Sequence, residues 1–344
     1  MSAQVFREFL YSNRTARKLD RLRAQVSPHD SLGIILYGEP DPDALAAGWA
    51  LMHLLRTRVQ NITILSSQPI RRQQNLRLMS ALKIPLTVAA DMPWEDFTKL
   101  ALVDAQPDFF DSAPPRTFDI VIDHHPKRGK YSFKFSDVRP RYGSTSTMLV
   151  EYLVAAGGRL STQLASALWY GLRTDTDNLS RSVNTADLAA YVYLYRHSNR
   201  DLIQWLDQSE MPSAYRDYFI KGLQSLSPGD KRLVVYLGEL PRPDVCVMVA
   251  DFLSHFIGLR WVAVGGRFKD KLHVVFRRGA YNVNVGRIAR SKLNEFGSAG
   301  GHQDKARAEI ALELIAEQCN GSASDDDVAA WLDSALLRRR SRKK

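Results

Sequence analysis

A chain of 344 residues is long enough for two domains, and 45% hydrophobic with 24% charged residues is the balance of a folded globular protein rather than a disordered one. No uncharged apolar run is long enough to span a bilayer, and the N-terminal "MSAQVFREFLYSNRTARKLDRL" lacks the apolar core and cleavage site of a secretory signal. The formal charge of +10 favours anionic partners, although part of the excess sits in the terminal "RRRSRKK", which reads equally as a solubilising end or a nucleic-acid contact. Cys246 and Cys319 form no CxxC pair, so they are expected to be buried, reduced thiols of a cytoplasmic protein.

In chain order, residues 1–28 read as a helical segment with Phe6, Phe9 and Leu10 on one side. "LGIILYG" predicts a strand, "DALAAGWALMHLLRTR" a helix, "NITIL" a strand and Ile70 to Leu82 a helix. "KLALVDA" and "FDIVIDHH" predict two more strands. "STSTMLVEYLVAAGG" opens on hydroxyl caps and ends on glycines, as a helix does, and "TQLASALWYGLRTD" predicts another. Strands alternating with helices imply a parallel sheet covered on both faces, over residues 29–196. A polar helical connector follows at 197–229. A second, smaller α/β unit spans 230–320, with strands "RLVVYLG", "LRWVAVGGRF" and "KLHVVFRRG" and helices at "PDVCVMVADFLSHFIG", Val285 to Glu295 and Gln303 to Gln318. "FKDK" suits a hairpin turn, and 321–344 supplies a last helix after "GSASDDD" and the basic tail. Trp49, Trp169 and Tyr170 read as core residues.

In open parallel sheets ligands sit beyond the carboxyl ends of the strands. Those ends here carry Asp41 and Asp43, then Asp104, then Asp123, His124 and His125; the helix holding Trp169 ends on Asp175 and Asp177. Each alone has a plain reading: a helix cap, a loop acid, a solvated histidine pair. Together, converging carboxylates would repel one another unless a cation lay among them. Carboxylates with imidazole suit manganese or magnesium.

These segments resemble a known family. "PDPDALA", "LVDAQP", "VIDHHP" and "GLRTDTDNLSRSVNT" are similar, in order, to the four motifs of the DHH phosphoesterase superfamily. "VVFRRG" and "GSAGGH" resemble the arginine strand and glycine-rich motif of its DHH-associated C-terminal domain. The arrangement is most similar to the two-domain nanoRNase and pAp-phosphatase type (NrnA-like oligoribonucleases). The resemblance implies two divalent ions, Mn2+ or Mg2+. One would be held by Asp43, Asp104, His124 and Asp175; the other by Asp41, the bridging Asp104 and a histidine for which this chain has Tyr37. That second ion is then expected to bind weakly, ahead of ligation by a phenolate or loss of full activity.

The resemblance further implies hydrolysis of short nucleotides by a hydroxide on the metals, with Asp104 and His125 as catalytic residues and Asp123 orienting an imidazole. Arg277, Gly300, Gly301 and His302 would grip the substrate, with backbone N–H groups of a helix starting near Gln303. Arg278 follows Arg277 where the family usually has serine. Expected substrates are pGpG, pApA, nanoRNA or 3′-phosphoadenosine 5′-phosphate. Short nucleotides or short RNA would be the partners, with no membrane, and a homodimer is possible. A catalytically impaired DHH fold that binds nucleotide or RNA is the alternative. A pyrophosphatase or polyphosphatase is a third reading, disfavoured by the glycine motif.

Overall fold

The computed structural model describes residues 9–337, apart from 90, 111, 128, 130, 182, 209–211, 320 and 322. Phe6 and the tail "RRRSRKK" therefore lie outside the described residues. The chain divides into two compact units, Met1–Glu210 and Met211–Lys344.

The first unit is built on six parallel strands: β1 (Ser31–Leu36), β2 (Asn61–Ser66), β3 (Leu86–Val88), β4 (Lys99–Val103), β5 (Ile120–Asp123) and β6 (Phe135–Val138). They lie in the order β3-β2-β1-β4-β5-β6. The order reverses between β1 and β4, which makes their carboxyl ends the crevice where such sheets bind ligands. Side chains alternate across the sheet. Ile34, Leu36, Ile64, Val103, Ile120 and Ile122 face one buried core, and Ile35, Leu65, Leu100, Leu102 and Val121 face the other.

The first core lies under helices α1 (Asn13–Arg23), α2 (Pro42–Leu55), α3 (Gln73–Leu82), α4 (Thr145–Ala155), α5 (Thr162–Asp175) and α6 (Thr185–His197). The opposite core is closed by loop aromatics, Trp94, Phe97, Phe109, Phe110, Phe118 and Phe133, not by α-helices. The sheet is thus covered on both faces, but only one cover is helical. Trp169 and Tyr170 are buried as expected, and Trp49 is half-buried at the margin of the same core.

The stretch 197–229 divides between the units. Its first helix, α7 (Arg200–Asp207), packs on α3 and α5; its second, α8 (Arg216–Gln224), packs in the second unit on β7 (Arg232–Glu239) and α9 (Asp244–Leu253). The second unit continues with β8 (Trp261–Phe268), β9 (Lys271–Arg278), α10 (Val285–Leu293), β10 (Ser298–Gly301), β11 (Lys305–Ala311), α11 (Leu312–Gln318) and α12 (Asp325–Leu337). Its sheet runs β10-β11-β9-β8-β7, with β7 and β8 parallel and the other pairs antiparallel. The turn at "FKDK" forms, with Lys269 left-handed.

The helix expected from Gln303 is corrected: β11 occupies that place. In "KARAEIA", Ala306, Ala308 and Ile310 are buried while Lys305, Arg307 and Glu309 are not, a period of two that overrides the helix propensity of alanine. The run "DDD" belongs to the first turn of α12, where acidic groups favour the helix dipole. Cys246 is buried, but Cys319 is half-buried, so the expectation of two buried thiols is corrected for the second. Among the described residues no helix is long and apolar enough to cross a membrane.

A candidate metal centre at the strand ends of the first unit

The strands of the reversal point deliver acidic groups, Asp41 and Asp43 after β1 and Asp104 after β4. Past β1 the chain turns through Gly38, at φ 61°, and enters α2 at Asp41. Asp41 accepts the Ala44 N–H at 2.9 Å and so caps α2. Asp43, in the first turn of that helix, is fully buried. Its Oδ2 accepts from Thr145 N at 2.7 Å and its Oδ1 from Ser146 N at 2.9 Å. The N-terminus of α4 therefore holds this carboxylate by two otherwise unpartnered amides.

Past β4, Asp104 takes a left-handed conformation, φ 59°, which aspartate tolerates better than most residues. Its N–H donates to the Ile122 carbonyl at 2.9 Å and its Oδ1 accepts from Thr145 Oγ1 at 2.7 Å. Past β5, His124 donates Nδ1–H to the Tyr142 carbonyl at 3.0 Å, since a carbonyl can only accept. That leaves Nε2 facing the carboxylates. It lies 2.8 Å from Asp175 Oδ2 and 3.7 Å from Asp104 Oδ1.

Asp43, His124 and Asp175 form one group of candidate ligand atoms within 4.8 Å of one another, and Asp104, His124 and His125 form a second. Asp41 belongs to neither group, but its charge is felt by Asp43 and Asp104. Burial, with the neighbouring charges of Asp175 and Asp41, pushes Asp43 up to about 7. Burial and the charges of Asp43 and Asp41 push Asp104 well above the usual carboxylate range. Burial alone would lower His124, but Asp175 beside it and the charges of Asp43 and Asp104 raise it to about 10.

Four carboxylates thus surround one imidazole. The Nε2 of His124 and the Oδ2 of Asp175 are buried, and neither makes an aligned hydrogen bond despite their separation of 2.8 Å. A ring nitrogen and a carboxylate oxygen face each other among excess negative charge, which holds a proton on the metal-free imidazole; with that proton displaced they are a donor set that suits a hard divalent cation. These residues therefore fit the ion that the sequence motifs imply.

Asp123 stands apart from this group. It is fully buried, accepts from Gln106 Nε2 at 2.7 Å and receives the His125 Nδ1 proton at 2.8 Å. Burial would raise its pKa, but these hydrogen bonds and the His125 charge lower it below the ordinary value. The Asp123–His125 pair is therefore an oriented imidazole within the second group of candidate ligands.

Tyr37, which directly follows β1, makes aromatic contacts. Its ring packs edge-on against Phe109 at 6.0 Å and Phe110 at 5.0 Å, and Phe109 in turn packs edge-on against His125 at 5.4 Å. In the second unit, Arg277 is not free: its Nε and Nη2 pair with Asp251. Gly301, at φ 149°, is demanded by the hairpin itself, because a Cβ there would lie 2.4 Å from the Lys305 carbonyl oxygen. Gly300 faces open space except for Arg290, at 3.8 Å, and His302 is exposed. In place of the expected helix near Gln303, α10 presents its first amides there. Val285 N donates to the Gln303 carbonyl at 3.0 Å and Gly286 N to that of His302 at 2.9 Å.

The amides of Thr145 and Ser146 were outside the sequence reading, although "GSTST" signals a capped helix start. Gln106 and the Tyr142 carbonyl carry no signal a sequence pattern could expose. Past Asp175, residues Asp177, Asn178 and Leu179 are left-handed in succession, and the Arg181 side chain returns to donate to the Asp175 carbonyl at 2.8 Å.

No family model matches the chain. Over 284 residues, 82% of the chain, it is 29% identical to an uncharacterised protein of Methanocaldococcus jannaschii, MJ1633, and spans 58% of that protein. It is 24% identical over 251 residues to the A-adding tRNA nucleotidyltransferase of Geobacter sulfurreducens, of which it spans 27%. Among solved structures, an exopolyphosphatase-related protein from Bacteroides fragilis superposes with a TM-score of 0.63 at 14% identity, over 92% of this chain and 98% of that one. The chain shares the fold of that exopolyphosphatase-related protein. Within that fold, the motif acids fall at the strand ends of the first unit.

The crossing of α2 and α5 depends on Gly171. A Cβ there would lie 2.9 Å from the Asp43 Cα and 3.0 Å from the Pro42 carbonyl oxygen. Gly171→Ala is expected to destabilise the first unit by about 1–3 kcal/mol through overpacking. Because the clash is at Asp43, the variant should also need more Mn2+ to reach its full melting-temperature gain, as a thermal-shift titration would read.

Proposed function

We propose that the protein is a metal-dependent phosphoesterase of the cytoplasm that hydrolyses short nucleotides: linear dinucleotides such as pGpG or pApA, nanoRNA, or 3′-phosphoadenosine 5′-phosphate. The observation that carries this reading is the pair of orphaned atoms, His124 Nε2 and Asp175 Oδ2, set among Asp43, Asp104 and Asp41. Asp43, Asp104, His124 and Asp175 would hold the principal ion, with Asp41 and Asp104 serving a second. Bound Mn2+ or Mg2+ supplies a lowered water pKa and charge neutralisation at phosphorus.

The protein's own part is positioning. The α4 amides fix Asp43, Thr145 fixes Asp104, and the Tyr142 carbonyl fixes the His124 tautomer. Asp123 accepts the Nδ1–H of the half-exposed His125 and favours the imidazolium, whose Nε2–H would donate to a phosphoryl oxygen. In the second unit Gly300, His302 and Arg278 would contact substrate. Arg278 lies 5.3 Å over the Tyr281 ring and donates to the Tyr281 carbonyl at 3.3 Å, whereas Arg277 is engaged by the Asp251 carboxylate.

The test is a panel of 5′-phosphorylated dinucleotides and 3′-phosphoadenosine 5′-phosphate, incubated with full-length protein and Mn2+ or Mg2+. Release of mononucleotide or phosphate is expected. Binding without turnover across the panel would instead support the second reading, a nucleotide-binding DHH fold.

Tyr37 favours that second reading, because its ring is held among phenylalanines where the resemblance asks for a histidine ligand. Tyr37→His should lower the Mn2+ concentration needed for half-maximal thermal stabilisation. An unchanged titration would mean that position 37 does not face the second ion.

A further inference from the structure

We infer that the first unit carries a second anion site, behind the DHH segment, that binds a nucleotide phosphate. A cavity of about 580 Å³ opens between α1, β6 and the loop after β5, a size within the range of small-ligand sites. Five cations line it: Arg14, Lys18, Lys127, Arg139 and Arg141. Against them stand two carboxylates, Asp137 and Glu151.

The carboxylates are already satisfied from within the fold. Asp137 takes Lys18, Arg139 and the Tyr152 hydroxyl; Glu151 takes Arg139, the Tyr142 hydroxyl at 2.8 Å and Thr15 at 3.3 Å. Arg14, Lys127 and Arg141 remain as exposed, surplus positive charge around one concavity. Converging like charges lower the cost of binding an anion there.

The lining also offers an aromatic face. Tyr131 stacks on Phe133 with centroids 5.9 Å apart and planes at 27°, and Tyr131 is 43% exposed. Phosphate charge beside an aromatic surface is the pairing that nucleotides present. The site lies apart from the carboxylate cluster but touches its supports. Tyr142, whose carbonyl holds His124, and Gln106, which holds Asp123, both line it. A free mononucleotide and a single strand extending from the metal centre would offer the same chemistry.

The inference does not depend on hydrolysis, so its test is run in EDTA on the full chain. The probes are 5′-AMP, by calorimetry, and a fluorescein-labelled 5′-phosphorylated oligoadenylate, by anisotropy at several salt concentrations. A triple variant, Arg14→Ala, Lys127→Ala and Arg141→Ala, should weaken oligoadenylate binding at least about tenfold. It should also reduce the slope of log K against log salt by about 2, at roughly 0.7 per lost phosphate contact on a single strand.

The charge-matched control Lys231→Ala, Arg232→Ala, Arg260→Ala alters exposed residues of the second unit and should leave both nearly unchanged. If 5′-AMP binding falls with the same triple, the site takes a free nucleotide; if 5′-AMP never binds but the oligomer effect holds, it takes a strand. Wild-type binding by the first triple, or equal loss in the control, would overturn the assignment. Dinucleotide turnover by wild-type protein is scored separately, so failure of the hydrolase reading and failure of this one are told apart.

Discussion

Asp104→Asn is expected to reduce Mn2+-dependent hydrolysis of a 5′-phosphorylated dinucleotide by at least about a thousandfold while making the metal-free protein more stable. The loss follows from removing the carboxylate proposed to serve both ions; metal stabilisation of a phosphoryl transition state is worth several kcal/mol, at about 1.4 kcal/mol per decade of rate. The gain follows from electrostatics. Asp104 is buried beside Asp43 and Asp41, and its ionised form is disfavoured there. A neutral amide removes that repulsion, and asparagine accepts the left-handed backbone at φ 59° that alanine would resist.

The sign is specific to pH. A carboxyl whose folded pKa is raised costs stability once the pH exceeds its unfolded value, about 4. The melting advantage of the variant should therefore be present at neutral pH and vanish below about pH 4. Wild-type protein should gain melting temperature with Mn2+ according to RT ln(1 + [L]/Kd), and the variant should gain much less. A variant that hydrolyses at the wild-type rate and keeps the full Mn2+ shift would remove Asp104 from the centre.

The strand-end acids were legible because apolar runs such as "KLALV" and "FDIVI" stop abruptly at charge, and a buried parallel sheet sends its strand ends to one edge. What holds those acids was not legible. Asp43 is gripped by amides of Thr145 and Ser146, about a hundred residues on, and a backbone N–H has no signature in residue type. Arg277 looked free because its partner, Asp251, sits on a different element, α9. β6 was missed because "FSDV" is four residues long and half polar. The error over β11 has another cause. "RAEIALELIAEQ" has the composition of a helix, but its first part pairs between β10 and β9 with Ala306, Ala308 and Ile310 buried on one face, and tertiary context decides. The non-helical cover on the far face of the first sheet was hidden for a similar reason: its phenylalanines come from loops with no periodicity to read.

Arg139→Met is expected to cost about 3–5 kcal/mol of stability at neutral pH, the usual penalty for removing one partner of a buried ion pair. Arg139 donates Nε and Nη2 to Asp137 Oδ2, at 2.9 and 2.6 Å, and Nη1 to Glu151. Asp137 is 4% exposed and Glu151 7%, so methionine would fill the space but leave two buried carboxylates short of a cation. Lys18, from α1, and the Tyr152 hydroxyl still reach Asp137, which sets the loss below that of an isolated buried charge. The pH dependence distinguishes this account from a packing defect. Burial would raise the Asp137 pKa, but the hydrogen bonds and charge of Arg139, with Lys18, hold it below its ordinary value. A depressed folded pKa contributes stability that is present above the unfolded value, about 4, and lost as the pH falls through the folded one. In the variant the Arg139 share of that contribution is absent at every pH, and the share of Lys18 and Tyr152 remains. The difference in unfolding free energy between wild type and Arg139→Met, from urea titrations, should therefore be largest near neutrality and shrink below about pH 4. A difference that stays constant down to acid pH would assign the loss to packing and leave the ion network without a part in joining α1 to the edge of the sheet.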